Sequence, residues 1–151
     1  VEKCVLLVDY GLDEPKVQAL HAHRAMKPLI SPDGSRILYN TSFHPTEIYI
    51  RELIPEAEPF QIASGTTPRW WVDEKTGELY VLYRTEIAKT KWPEHIGKTM
   101  RLKIDAETYR PVGEPRQIYD QGFSGGLSPD GKWLATGYHK EVDPHLFCFC
   151  K

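Results

Sequence analysis

Ser31-Pro32-Asp33-Gly34-Ser35-Arg36-Ile37-Leu38-Tyr39 and Ser128-Pro129-Asp130-Gly131-Lys132-Trp133-Leu134-Ala135 are the stretches on which the fold is read. Each is a Ser-Pro-Asp-Gly turn running straight into an apolar segment. Pro presets φ for the turn, Asp bonds its own backbone two residues on, and Gly accepts positive φ, so the chain reverses and a strand begins. Between them, Asp73-Glu74-Lys75-Thr76-Gly77 precedes Leu79-Tyr80-Val81. All three are tight Asp/Gly turns joining two strands, and each marks a hairpin. Asp33 to Asp73 is 40 residues and Asp73 to Asp130 is 57. The first interval has the length of a four-stranded repeat, and the second fits if one loop carries an insertion.

Working outward, the apolar segments are short, rich in β-branched and aromatic residues, and several alternate with period two. Arg36–Tyr39, Glu47–Arg51, Glu78–Tyr83 and Met100–Ile104 read as strands. Lys16 to Ala22 reads as a strand rather than a helix, being short and uncapped. The insertion occupies 85–99, between the second and third strands of its repeat. Pro59-Phe60-Gln61-Ile62-Ala63 and Pro115-Arg116-Gln117-Ile118-Tyr119 align as fourth strands, an echo independent of the turns. Lys3–Val8 and Lys16–Leu20 read as the last two strands of a preceding unit.

Pro28-Leu29-Ile30-Ser31-Pro32-Asp33-Gly34 and Gly126-Leu127-Ser128-Pro129-Asp130-Gly131 resemble the TolB-like (WD40-like) propeller repeat, and Thr67-Pro68-Arg69-Trp70 resembles its start. The middle copy departs from the pattern, with Trp71-Val72-Asp73 in place of Ser-Pro-Asp, and the third has Gly125 where Pro is usual. The resemblance spans about residues 26 to 147. It implies an all-β fold, a β-propeller segment of about three four-stranded blades, partial or open. The expected division is 1–24 as the end of a preceding blade, 25–64 and 65–121 as blades, and 122–151 as an incomplete blade whose third strand is His145–Cys150. A ring needs four to eight blades, so a longer chain or further copies would complete it.

Function is less legible, since fold does not fix it. A net charge of −2 gives no electrostatic reason to expect nucleic acid. No apolar run reaches the roughly 20 residues that span a bilayer. Three cysteines, Cys4, Cys148 and Cys150, make no disulfide framework and have no metal-ligand spacing. No nucleophile elbow, phosphate loop or zinc-protease motif is present.

In the propeller reading, all six histidines fall on the face opposite the Asp/Gly turns: His21, His23, His44, His95, His139 and His145. His21, His23 and His139 are the candidates for a divalent metal, imidazole being its commonest ligand, although polar loops also collect histidine. No other cofactor is expected. Arg69 could hold an anion near the channel. Trp92, beside Pro93 in the insertion, suits an anchor for a partner or sugar. Trp70 and Trp71 are adjacent on a strand and should point to opposite faces, into the packing between blades, with Trp70 a core anchor. The resemblance implies a protein- or ligand-binding scaffold of the bacterial envelope, periplasm or secreted space, non-catalytic by itself and able to self-associate through open strand edges. The alternatives it brings are a metal-dependent pectic-oligosaccharide lyase and the accessory propeller of a larger hydrolase.

Overall fold

The architecture comes from a computed structural model that describes residues 5–9, 16–20, 25–41, 45–54, 56–85, 97–119 and 123–137. Twelve strands and no helix appear among them. They are β1 (Val5–Asp9), β2 (Lys16–Leu20), β3 (Ala25–Ile30), β4 (Arg36–Thr41), β5 (Glu47–Glu52), β6 (Phe60–Ser64), β7 (Thr66–Val72), β8 (Leu79–Arg84), β9 (Thr99–Ile104), β10 (Arg116–Tyr119), β11 (Phe123–Leu127) and β12 (Leu134–Gly137). They form four antiparallel sheets in chain order: β1-β2, β3-β4-β5-β6, β7-β8-β9-β10 and β11-β12. Every neighbour in a sheet is a neighbour in sequence, the simple up-and-down path that short turns enforce.

The two Ser-Pro-Asp-Gly turns have the same geometry. Ser31 N–H donates to the Arg36 carbonyl at 2.8 Å and Gly34 N–H to the Ser31 carbonyl at 2.9 Å. Ser128 repeats this with Trp133 at 2.7 Å, and Gly131 with Ser128 at 2.9 Å. Gly34 and Gly131 have φ of 77° and 71°, where a Cβ would be strained. The middle turn is built differently. Asp73 N–H donates to the Glu78 carbonyl at 3.0 Å, so Asp73 holds the backbone place of Ser31, not of Asp33. The register agrees, with Ile30 opposite Ile37 and Val72 opposite Leu79. The Asp/Gly landmarks align the repeats two residues out of step at this turn.

A fourth turn was hidden in the sequence. Asp105-Ala106-Glu107-Thr108-Tyr109 repeats the pattern of Asp73 to Gly77: Tyr109 N–H donates to the Asp105 carbonyl at 2.8 Å as Gly77 N–H does to Asp73 at 2.7 Å. The Asp105 carboxylate takes the Thr108 N–H at 2.7 Å. Tyr109 occupies the left-handed position with φ of 59°, where Gly77 has 70°. A tyrosine in a glycine place conceals the turn from a search for Gly and Pro.

The second, third and fourth sheets pack in succession. Leu38, Ile48 and Ile50 of the second sheet meet Leu79, Val81, Tyr83, Leu102 and Ile104 of the third in one apolar cluster. Trp71, Tyr80 and Leu82, on the opposite side of the third sheet, meet Leu127 of the fourth. Alternation along β8 explains this division: odd positions turn to the sheet before, even positions to the sheet after. The third sheet is therefore buried on both faces, which is why β8 reads as an unbroken apolar run.

Candidate functional site

Trp70 and Trp71 each use the indole N–H. Trp70 donates to the Leu29 carbonyl at 3.2 Å, in the sheet before. Trp71 donates to the Ser128 carbonyl at 2.9 Å, in the sheet after. The expectation that they face opposite ways into inter-sheet packing holds. Their weights differ from the expectation, for Trp71 is 6% exposed while Trp70 is only half-buried.

Around Trp70 lies a polar cluster joining two sheets at the Asp/Gly end. Asp33 accepts from the Ser31 hydroxyl at 2.6 Å and, through its other oxygen, from the Ser35 hydroxyl at 2.6 Å. Tyr109 reaches across from the third sheet and adds its own hydroxyl. The Ser31 hydroxyl, then those of Ser35 and Tyr109, hold the Asp33 carboxyl far below the usual carboxylate range. Burial, then the neighbouring Asp33 carboxylate, pushes the Tyr109 phenol up. The Arg36 guanidinium stacks over the Tyr109 ring at 4.6 Å and pairs with Glu52 at 2.7 Å. Trp70 meets the same ring edge-on at 5.6 Å, and Arg110 covers Phe60 at 3.7 Å. The Asp33 carboxylate and both terminal nitrogens of Arg36 are spent on neighbours, while the buried Arg36 Nε has no partner. The cluster is a latch between sheets, with no free nucleophile and no open base.

The fourth sheet docks in a related way. The Glu74 N–H donates to the Pro129 carbonyl at 3.1 Å, and Gly131 lies against the Trp71 ring. Asp130 is held below the carboxylate range by the Ser128 hydroxyl and the Lys132 N–H. Trp133, which takes the place of Arg36 in this turn, is 76% exposed.

Of the expected site residues, Arg69 alone is described. It is exposed on β7, opposite Leu82, with no hydrogen bond or ion pair among the described residues. His21, His23, His139 and Trp92 lie outside the described residues, as do His44, His95, His145 and the three cysteines. The site they were expected to form is therefore neither assembled nor dispersed. Among the described residues no three His, Cys, Asp or Glu side chains gather as a metal would require. No helix there is long and apolar enough to cross a membrane.

A row across the middle of the third sheet was missed as a site. Arg101 and Arg116 stand directly opposite each other on β9 and β10, and Arg101 is also opposite Leu82, itself opposite Arg69. Three arginines thus share one row across the sheet. Only pairing register shows this, and bulges at Thr66/Arg69 and Gln117/Tyr119 obscure it in the sequence.

No family model, curated protein or solved structure matches the chain. The likeness to the TolB-like repeat stands on the residues quoted above.

Proposed function

We propose that the chain is a segment of a TolB-like β-propeller and serves as a binding scaffold, without catalysis of its own. The observation that carries this reading is the pair of indoles on β7. A first strand that hydrogen-bonds the sheet before through one residue and the sheet after through the next suits stacked, like-handed blades. The two four-stranded up-and-down sheets, and the like Ser-Pro-Asp-Gly turns of the second and fourth sheets, support it. In this reading the Asp/Gly end is committed to holding sheets together. The opposite end, which carries the long connection between Arg84 and Thr99, is left to meet a protein or a small polar ligand. Open strand edges would let copies associate.

The rival reading is a metal-dependent lyase of acidic oligosaccharides built on His21, His23 and His139. The two separate in one assay. The full chain is incubated with oligogalacturonate and Ca²⁺, Mn²⁺ or Zn²⁺, and unsaturated uronate is followed by its ultraviolet absorbance. The scaffold reading expects no product with any metal. Product that disappears in His21→Ala or His139→Ala would overturn it.

A further inference from the structure

The two four-stranded sheets can be superposed by register, and one row differs sharply between them. In the second sheet the row runs Met26, Asn40, Ile48, Ala63. In the third it runs Arg69, Leu82, Arg101, Arg116. Ile48, completely buried, packs the second sheet onto the third. Its counterpart Arg101 stands on the corresponding side of the third sheet. A position that builds apolar core in one repeat carries a cation in the next.

That cation is held rather than neutralised. The Arg101 guanidinium lies 4.8 Å from the Tyr80 ring centre and 5.9 Å from that of Trp71. Stacking fixes its plane and leaves its N–H fork free. Arg116 is its directly opposed neighbour, and like charges so placed repel. Neither arginine has a carboxylate partner among the described residues. The nearby cation Lys103 does have one, Glu78.

A second observation points the same way. One row further along, on the same side, stand Thr66, Arg84 and Thr99. Thr99 is wholly buried, and its hydroxyl has no hydrogen-bond partner; the buried Thr66 hydroxyl has none either. Arg84 has partners of its own. A buried hydroxyl left unpaired is costly and calls for a guest. Thr99 lies two residues before Arg101 on β9, about 7 Å along the strand, within the reach of an arginine side chain.

We infer that this side of the third sheet holds an oxyanion, the carboxylate or phosphate group of a small ligand. Arg101 and Arg116 grip it and the Thr99 hydroxyl donates to it, while Arg69 adds charge from two strands away. Bidentate guanidinium contacts suit both groups, so the shared chemistry is a planar or tetrahedral oxyanion. The site rests on pairing within one sheet and on its packing, and stands whether or not the sheets belong to a propeller.

The test is titration of the full chain with inorganic phosphate and, separately, with tricarballylate as a carboxylate probe, followed by arginine side-chain NMR shifts and calorimetry. Saturable binding of one or both is expected, and which probe binds names the group. Arg101→Gln and Arg116→Gln should each weaken it about tenfold or more, with far-UV circular dichroism unchanged. Thr99→Val should weaken binding yet leave the thermal midpoint of the ligand-free chain equal or higher, because it removes an unpaired hydroxyl. Failure of both probes to bind at millimolar concentration would overturn the proposal. So would undiminished binding by Arg101→Gln, or a lowered midpoint in Thr99→Val with binding intact.

Discussion

Tyr109 concentrates the fold's local compromises. Its backbone is in a conformation that costs a non-glycine residue about 1 kcal/mol or more. Its ring offsets that cost by sitting 3% exposed between Trp70 and Arg36, with its hydroxyl on Asp33. Tyr109→Phe keeps the ring and removes the hydroxyl, and should lower unfolding free energy by about 1 kcal/mol in denaturant titration. Tyr109→Gly relieves the backbone but loses the ring, and should be worse than Tyr109→Phe. Asp33 makes the latch acid-sensitive. Its carboxyl is depressed in the folded chain, so its stabilisation is present above the unfolded value of about 3.9 and is lost as pH falls below it, toward the much lower folded value. Asp105 and Asp130 are depressed too and act in the same direction. Thermal midpoints measured downward from about pH 5 should fall, and Asp33→Asn should flatten that fall while lowering the plateau.

At the scale of elements, β7 and its approaches decide how the sheets sit. Trp71→Ala empties a nearly closed site and should cost about 3–5 kcal/mol. Trp70→Ala should cost less, since half-burial leaves less surface to lose; equal costs would show that Trp70 is enclosed more fully than described. Gly65, between β6 and β7, has φ of 155°, and a Cβ there would collide with the Arg84 carbonyl. Gly65→Ala should therefore destabilise by about 2 kcal/mol or more, the backbone having to move away. These elements also show what the sequence could yield. Strands, hairpins and the opposed tryptophans were legible, because period-two alternation and Asp/Gly turns are local signals. The step at Asp73, the concealed turn at Tyr109 and the arginine row were not. Each depends on which residues stand opposite one another, and register is set by bulges and packing that no local pattern records.

For the whole molecule, the sheets follow one another in chain order, and the third closes a face of the second as the fourth closes a face of the third. The apolar cluster joining the second and third sheets is the larger, and that joining the third and fourth is narrower and bordered by cations. The third sheet should accordingly show its slowest amide exchange in β8, which has apolar neighbours on both sides. The most direct measurement is of the two indole N–H protons of Trp70 and Trp71 by nuclear Overhauser spectroscopy. The account predicts contacts from Trp70 to residues around Leu29 and Tyr109, and from Trp71 to residues 128–131. Contacts from both indoles to the same sheet, or rapid exchange of the Trp71 proton with water, would contradict it.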